Sequence, residues 1–236
     1  MDWRIAVRNL GAAAFVGVFA SSLTAQYSSE VRFGSVSVER SSVNELHMRR
    51  EGKTWRVDLS RVVRRNDCSS LDEIGAGSCP GGPTTPCPAC PRRVEFLAWD
   101  EQHQRLHFAV GTETARNNPW TIFSYSIVTR RIRRFTNTWA AGLGIGAVSR
   151  SGRYLAYVSG YHGGACANTA AIEFVDLWNR RAAIVNEGLD TIRQLKWTSD
   201  TVLEFEDASQ SEDDCRDGKP PELMRGSVNI AALTFR

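Results

Sequence analysis

The sequence predicts an all-β fold, a β-propeller-like array of about four four-stranded antiparallel blades. Three observations support this prediction: short segments recur along the chain, apolar and polar residues alternate with a period of two, and helical periodicity is absent. The clearest repeat is IFSYSIVTRR at Ile122–Arg131, which returns 50 residues later as IEFVDLWNRR at Ile172–Arg181. A period of roughly 40–50 residues built from short strands is typical of propeller blades.

The strands that precede this repeat recur in the same phase. Three leucines are each followed two residues later by an aromatic side chain: Leu106 by Phe108, Leu155 by Tyr157, and Leu203 by Phe205. The blades are therefore expected, in order, near Phe33–Leu59, at Val94–Asn137, at Leu143–Asn186, and from Ile192 to the C-terminus, the first being degraded. Residues 26–236 would then form one domain, with a Cys/Pro/Gly-rich insertion at 66–91.

One stretch carries a family resemblance. VSRSGRYLAYVS at Val148–Ser159, followed by IEFVDL and a basic turn, resembles the repeats of TolB-type and related WD-like propellers, in which an SPDGRYLAF hairpin leads into a strand ending in DL-TGK. The resemblance spans residues 92–236 and is strongest over 143–186. It implies a propeller and a protein-binding role, and it carries no catalytic residue across. Ser151 replaces the family's first-turn Asp, and an arginine replaces the Gly of the second turn.

Closure of the ring is left open by the sequence. An outermost strand of the fourth blade would begin at Leu233–Arg236, where the sequence stops. Either the N-terminal segment near Val31–Phe33 completes that blade, or the array stays open. An open array would expose a sheet edge, which invites self-association.

The N-terminus predicts a cleaved export signal over residues 1–25. Arg4 and Arg8 precede an apolar run at Leu10–Ala20, and Leu23-Thr-Ala25 supplies the small residues that signal peptidase requires. The run is too short to span a bilayer, so we expect no stable membrane insertion after cleavage, the alternative being a retained anchor. The expected location is secreted or periplasmic.

Charge excludes some partners. Signal cleavage removes two of the 29 basic and one of the 26 acidic residues, which lowers the formal net charge from +3 to +2. So balanced a surface predicts binding neither to nucleic acid nor to acidic lipid through its bulk field.

Six cysteines follow the signal, and an even set in an oxidising compartment favours disulfides. Four lie in the 66–91 insertion: Cys68, Cys79, Cys87 and Cys90. Four thiolates could instead hold zinc, but export favours disulfides. The CPAC spacing lacks the βαβ context of a redox motif. The other two, Cys166 and Cys215, occupy the same loop of consecutive blades and are expected to be bridged, while pairing within the insertion is left open.

The predicted topology gives the two faces of the array different characters. Short turns, including those with paired arginines at 130–131 and 180–181, share one face, which we name the short-turn face. The connections 66–91, 111–121, 160–171 and 207–225 share the opposite, long-loop face, where binding residues usually lie. The arginines are interpreted as an anion-binding rim or as solvated turns. The lack of interleaved aromatics favours solvated turns.

The functional prediction is an exported, disulfide-stabilised binding module that recognises a protein or glycan ligand through its long-loop face. The expected ligand-binding residues are Trp120, Tyr161, His162, Asp213, Asp214 and Asp217. No catalytic motif such as HExxH or GxSxG occurs. The partial calcium-loop pattern at 213–218 lacks its bidentate Glu, so neither metal nor cofactor is predicted.

Two alternatives differ in class. One is an exported hydrolase or lyase that uses His162 with carboxylates chosen from Glu206, Asp207, Asp213 and Asp214. The other is a structural subunit that pairs with another chain through an open sheet edge.

Joining Cys166 to Cys215 should staple blade three to blade four. The bridge closes a loop of about 50 residues and should stabilise the fold by roughly 3–4 kcal/mol. Peptide mapping under non-reducing conditions should recover the two cysteines in one linked peptide. Linkage of either one to the 68–90 cluster would refute the pairing.

Overall fold

The computed structural model describes residues 30–42, 44–63, 92–112, 118–162, 168–185, 189, 191–209 and 217–236. Within these ranges the chain forms fifteen strands in four antiparallel sheets, which confirms the predicted all-β, propeller-like class. One short helix, α1 (Ser60–Val63), and one 3₁₀ turn (Ile230–Ala232) accompany the strands. Among the described residues, no helix has the length and apolar character needed to cross a membrane.

Each sheet is a meander whose strands follow chain order. Sheet 1 contains β1 (Val31–Phe33), β2 (Val36–Ser42), β3 (Glu45–Arg50) and β4 (Lys53–Asp58). Sheet 2 contains β5 (Arg92–Asp100), β6 (Arg105–Thr112), β7 (Asn118–Ser126) and β8 (Arg131–Ala140). Sheet 3 contains β9 (Gly142–Val148), β10 (Tyr154–His162), β11 (Asn168–Asp176) and β12 (Arg181–Val185), and sheet 4 contains β13 (Ile192–Trp197), β14 (Val202–Ser209) and β15 (Glu222–Asn229).

The sheets are held together by three apolar cores, one between each consecutive pair. Side chains alternate along a strand, so a middle sheet can bury both of its faces. In β6, Leu106, Phe108 and Val110 pack towards sheet 1, whereas Ala109 belongs to the core shared with sheet 3. Contacts between β5 and β9, and between β9 and β13, bring the first strands of successive sheets together, as they are in a propeller.

The two end sheets turn charged faces outward. On sheet 1, His47 Nε2 lies 2.7 Å from Glu45 Oε1, and Arg49 Nη2 donates to Glu39 Oε1 at 3.0 Å. On sheet 4, the corresponding face carries Lys196, Glu204, Glu206 and Arg225 among its exposed and half-buried residues. Polar outer faces on terminal units keep a stacked repeat array soluble.

The fourth blade differs from the predicted four strands, because sheet 4 has three strands among the described residues. The N-terminal strand does not complete it, since Val31 and Phe33 pair with Val38 and Val36 inside sheet 1. The C-terminal residues do not complete it either. Arg236 exchanges two backbone hydrogen bonds of 2.9 Å with Ala182 and so extends the outer edge of sheet 3.

The C-terminal path has a local cause. The side chain of Asn229 accepts from Ala231 N at 3.0 Å and starts the 3₁₀ turn that redirects the chain. Leu233 and Phe235 then pack against the core between sheets 3 and 4, with the Phe235 ring 5.9 Å from that of Tyr154. Burying these two side chains favours the path towards sheet 3 over a return to sheet 4.

The repeated basic turns have the same backbone geometry in sheets 2 and 3. Arg130 N donates to Ser126 O at 2.8 Å, and Arg180 N donates to Asp176 O at 2.7 Å. Both arginines are left-handed, with φ of +55° and +58°. This conformation is unstrained for Gly, the residue that the resembling family has in this turn, and it costs other residues roughly 1–2 kcal/mol.

Replacing the left-handed arginine should therefore stabilise the fold. We expect Arg180→Gly to raise the free energy of unfolding by roughly 0.5–1 kcal/mol, because relief of strain exceeds the added unfolded-state entropy. Urea unfolding measures the change. The control is Arg181→Gly in β12, which should lower stability by roughly 0.5–1 kcal/mol. Equal destabilisation by both variants would show that φ at Arg180 is unstrained.

Candidate functional site

Trp120 is not on the surface, so its predicted role as an exposed ligand anchor is wrong. Its side chain is fully buried in the core between sheets 2 and 3, and its Nε1 donates to Ala140 O at 3.0 Å. Its ring covers Gly111 so closely that a Cβ there would lie 2.6 Å from ring atoms. The sequence analysis assigned 111–121 to a loop, whereas β7 begins at Asn118 and its alternation points Trp120 inward.

Many residues of the predicted long-loop site lie outside the residues that the structure describes. Tyr161 and His162 end β10 opposite Thr169 and Asn168, and their side chains are not described. Asp217 is exposed and lies 3.4 Å from Lys219 Nζ. The following lie outside the described residues: Asp213, Asp214, the signal at 1–25, the insertion at 66–91, and the cysteines Cys68, Cys79, Cys87, Cys90, Cys166 and Cys215. The long-loop site and the Cys166–Cys215 bridge stay predictions.

Two carboxylates named for the enzyme alternative do not converge. Glu206 and Asp207 are neighbours in β14, so their side chains point to opposite faces. Glu206 accepts from Arg225 Nε at 2.9 Å, and the fully buried Asp207 accepts from Thr191 N at 2.8 Å. In the described part of the chain, no group of three or more His, Cys, Asp and Glu side chains is arranged to hold a metal ion.

A different constellation lies at the short-turn end of sheet 2. Two cross-strand rows run over β6, β7 and β8: Arg105, Ser126 and Arg131 in one, and His107, Ser124 and Arg133 in the next. Residues opposite each other in such rows project from the same face of the sheet, with Cβ atoms about 4.5–5.5 Å apart. Because the serines are small, arginines from β6 and β8 flank a shallow strip with a serine floor.

Arg180 of sheet 3 lies near this strip, because its charge acts on Arg133. Partial burial, together with repulsion from Arg180 and Arg105, lowers the pKa of Arg133 below its ordinary value. The Arg133 guanidinium also lies 5.2 Å from the centroid of the Phe135 ring. We name Arg105, Arg131, Arg133 and Arg180 the arginine cluster. Arginines stay protonated in proteins, so the cluster concentrates positive charge between two sheets.

The nearby carboxylates are committed to other partners. Asp176 accepts from Arg153 Nη2 at 2.8 Å and from the backbone of Asn179 at 3.1 Å. Burial alone would raise the pKa of Asp176, but the hydrogen bonds from Arg153 and Asn179 outweigh it and lower the pKa. Asp100 accepts from His103 N at 3.0 Å and contacts its Nδ1 at 2.9 Å. Asp100 also lies opposite Arg105 across β5 and β6, but within the described ranges no carboxylate is at ion-pair distance from the arginine cluster.

His107 lies in the second row and is fully buried. Burial lowers its pKa to about 4, although Asp100 acts in the opposite direction, so the ring is neutral at pH 7. Neither ring nitrogen has a hydrogen-bond partner among the described residues. An unsatisfied buried polar group costs roughly 1–3 kcal/mol. The neutral, unsatisfied ring of His107 is therefore unfavourable for stability, and it lies beside the positive charges of the arginine cluster.

The sequence contained part of this signal. It placed the paired arginines of the basic turns on one face and favoured solvated turns over an anion-binding rim. Arg131, Arg133 and Phe135 alternate on one side of β8, and Arg105 and His107 do so on β6. Their convergence also depends on the strand register and on the approach of sheet 3, neither of which the sequence pattern specifies.

Comparison with known proteins assigns neither a family nor a function to the chain. No protein-family model and no curated protein matches the chain. A solved structure of a mutant apocarotenoid oxygenase from Synechocystis is similar over 89% of this chain and 47% of that one, at 9% identity and a TM-score of 0.40. The chain spans about half the length of that protein. Similarity at this level carries no argument about function.

Replacing His107 should stabilise the protein most at low pH. Its pKa is lowered from 6.5 to about 4 in the fold, so the unfolded chain binds more protons across this window and stability falls as pH falls. The loss amounts to about 3 kcal/mol between pH 7 and pH 4. His107→Leu should therefore gain stability over the parent increasingly as pH drops through this range. Urea unfolding at each pH measures the difference, and a constant difference would contradict the prediction.

Proposed function

We propose that this chain is a binding module that holds an anionic group of its ligand at the arginine cluster. The observation that carries the proposal is that Arg105, Arg131 and Arg133 project from one face of sheet 2, near enough to Arg180 of sheet 3 for its charge to act on Arg133. Asp100 lies opposite Arg105 in this row, but among the described residues no carboxylate is within ion-pair distance of the four guanidinium groups. Like charges held together raise the free energy of the fold. An anion between them would remove that repulsion, so charge and position together favour anion binding.

The donors fit an oxyanion. A guanidinium presents N–H groups in a planar fork that matches carboxylate, phosphate or sulfate, and such bonds are stronger than neutral ones. Ser126 Oγ accepts from Thr129 N at 3.2 Å, which leaves its own O–H free to donate. A sulfated, phosphorylated or carboxylated glycan, or an acidic protein segment, would supply the required group. The sequence also predicts a protein or glycan ligand, but on the long-loop face, whereas the arginine cluster lies at the short-turn end.

Binding is the better inference than catalysis at this site. General acid–base chemistry needs a titratable group within reach of the reacting proton. Here Asp100 and Asp176 are hydrogen-bonded to His103 and Arg153, and His107 is buried as the neutral ring. The available groups at the surface are arginines, which donate hydrogen bonds and do not exchange protons at physiological pH.

Neighbouring arginines on β8 provide a matched test. Arg133 belongs to the cluster, whereas Arg134 projects from the other face and donates to Asn137 Oδ1 at 2.9 Å. Titration calorimetry with a sulfated oligosaccharide should show that Arg133→Gln weakens binding by about 5–10-fold, since an anchoring residue contributes more than about 1 kcal/mol. Arg134→Gln makes the same change in net charge and should alter affinity by less than about twofold.

Further measurements separate a defined site from diffuse attraction. Arg180→Gln should match Arg133→Gln, and affinity should fall as ionic strength rises. A desulfated oligosaccharide of the same length should not bind at the site. Equal losses for Arg133→Gln and Arg134→Gln would assign the interaction to overall charge. Absence of binding to sulfated, phosphorylated and carboxylated ligands would refute the proposal.

A further inference from the structure

The outer edge of sheet 4 is a second surface available for an interaction. The first three sheets place β4, β8 and β12 in their fourth position, whereas the three-stranded sheet 4 ends at β15. β15 is exposed along most of its length, with Leu223 at 50% and Met224 at 42% exposure. In the described part of the chain, no strand pairs with its outer side. An unpaired strand edge is a template for another strand.

The hydrogen-bond pattern identifies which groups of β15 point outward. Ile230 N donates to Thr201 O at 2.9 Å, and Val202 to Ser209 pair with Asn229 to Glu222 without a register shift. Groups in an antiparallel ladder point alternately towards and away from the partner strand. The backbone N–H and C=O groups that point away from β14 are therefore those of Leu223, Arg225, Ser227 and Asn229.

The chain's own C-terminal residues lie elsewhere. Arg236 pairs with Ala182 on sheet 3, and Leu233 and Phe235 pack against the core between sheets 3 and 4. Moving this segment to β15 would break those hydrogen bonds and expose Phe235. A strand supplied from another molecule requires neither change.

We propose that β15 pairs antiparallel with β15 of a second copy, which joins two three-stranded sheets into one six-stranded sheet. A two-fold axis at Gly226 pairs residues 223–229 of the two copies and places Arg225 opposite Ser227, Leu223 opposite Asn229, and Met224 opposite Val228. Gly226 then faces its own copy and adds no side-chain bulk. An axis at Arg225 would instead oppose two arginines, which is unfavourable.

Arg225 is compatible with this pairing. Its Nε donates to Glu206 Oε1 at 2.9 Å on the outer face, so its charge is directed towards β14. The apolar side chains of Met224 and Val228 project from the opposite face, where the two-fold axis would bring them together in pairs. The dimer would also present two arginine clusters, and a ligand with several anionic groups could then bind with avidity. The pairing itself does not rest on the proposed ligand.

The first test uses the unmodified protein. Sedimentation velocity over rising concentration should reveal a monomer–dimer equilibrium. Amide hydrogen exchange should slow at Leu223, Arg225 and Ser227 as the dimer population rises with concentration. The amides that pair with β14 should stay protected throughout. A monomer at every concentration, or a dimer without this concentration-dependent protection, would overturn the proposal.

A proline–alanine pair at Ser227 provides the second test. Proline removes an N–H that the ladder with β14 does not use, and prolines are tolerated on edge strands. We expect Ser227→Pro to weaken dimerisation at least tenfold and Ser227→Ala to change it by less than about twofold. If Ser227→Pro does not fold, Leu223→Lys places a charge on the edge and should also favour the monomer. Dimerisation unaffected by the edge variants would refute the pairing, and Arg133→Gln should leave it unchanged.

Discussion

Packing between consecutive sheets is the constraint on which the rest of the structure depends. A strand in a middle sheet has both faces covered, so β6 and β10 are buried on alternate sides by different neighbours. Full burial of a side chain such as Phe108 contributes roughly 1.5–3 kcal/mol, and each interlayer contains several such residues. Sheets 1 and 4 have one covered face each, which explains why their other faces are charged. The same geometry fixes which side chains of sheets 2 and 3 can meet.

The interlayer between sheets 2 and 3 changes character along the strands. Near the start of β7 it is filled by Trp120 and its neighbours, and further along the buried Glu173 accepts from Tyr157 Oη at 2.7 Å and Thr138 Oγ1 at 2.6 Å. These hydroxyls satisfy the carboxylate, so this polar contact is structural. At the short-turn end, the polar side chain of His107 lacks such partners among the described residues. Unsatisfied buried atoms therefore occur towards both ends of the interlayer, at both ring nitrogens of His107 and at Ser159 Oγ.

Sequence alternation and repetition were enough to predict the fold class, because a period of two and a blade-length repeat follow from strand geometry. They did not predict where strands end. Extending β7 back to Asn118 moved Trp120 from a supposed loop into the core. They also left open whether the fourth blade is completed, because the pairing of Arg236 with Ala182 and the packing of Phe235 against the core between sheets 3 and 4 are decided by tertiary contacts. The arginine cluster required the register of three strands and the approach of a second sheet, which no local pattern encodes.

Several locally unfavourable features occur together at the short-turn end of sheets 2 and 3. Three of the four described non-glycine residues with positive φ are there, Gln104, Arg130 and Arg180. The arginine cluster, which has no ion pair with a described carboxylate, and the unsatisfied His107 share the same end. Each feature costs stability, and natural sequences usually tolerate such costs where function requires them. Strain in the turns alone would not identify a functional site, since Glu51 in sheet 1 is also left-handed. The short-turn end is distinguished by the coincidence of these turns with the arginine cluster and with two unsatisfied ring nitrogens of His107, whereas the unsatisfied Ser159 Oγ lies towards the other end of β10.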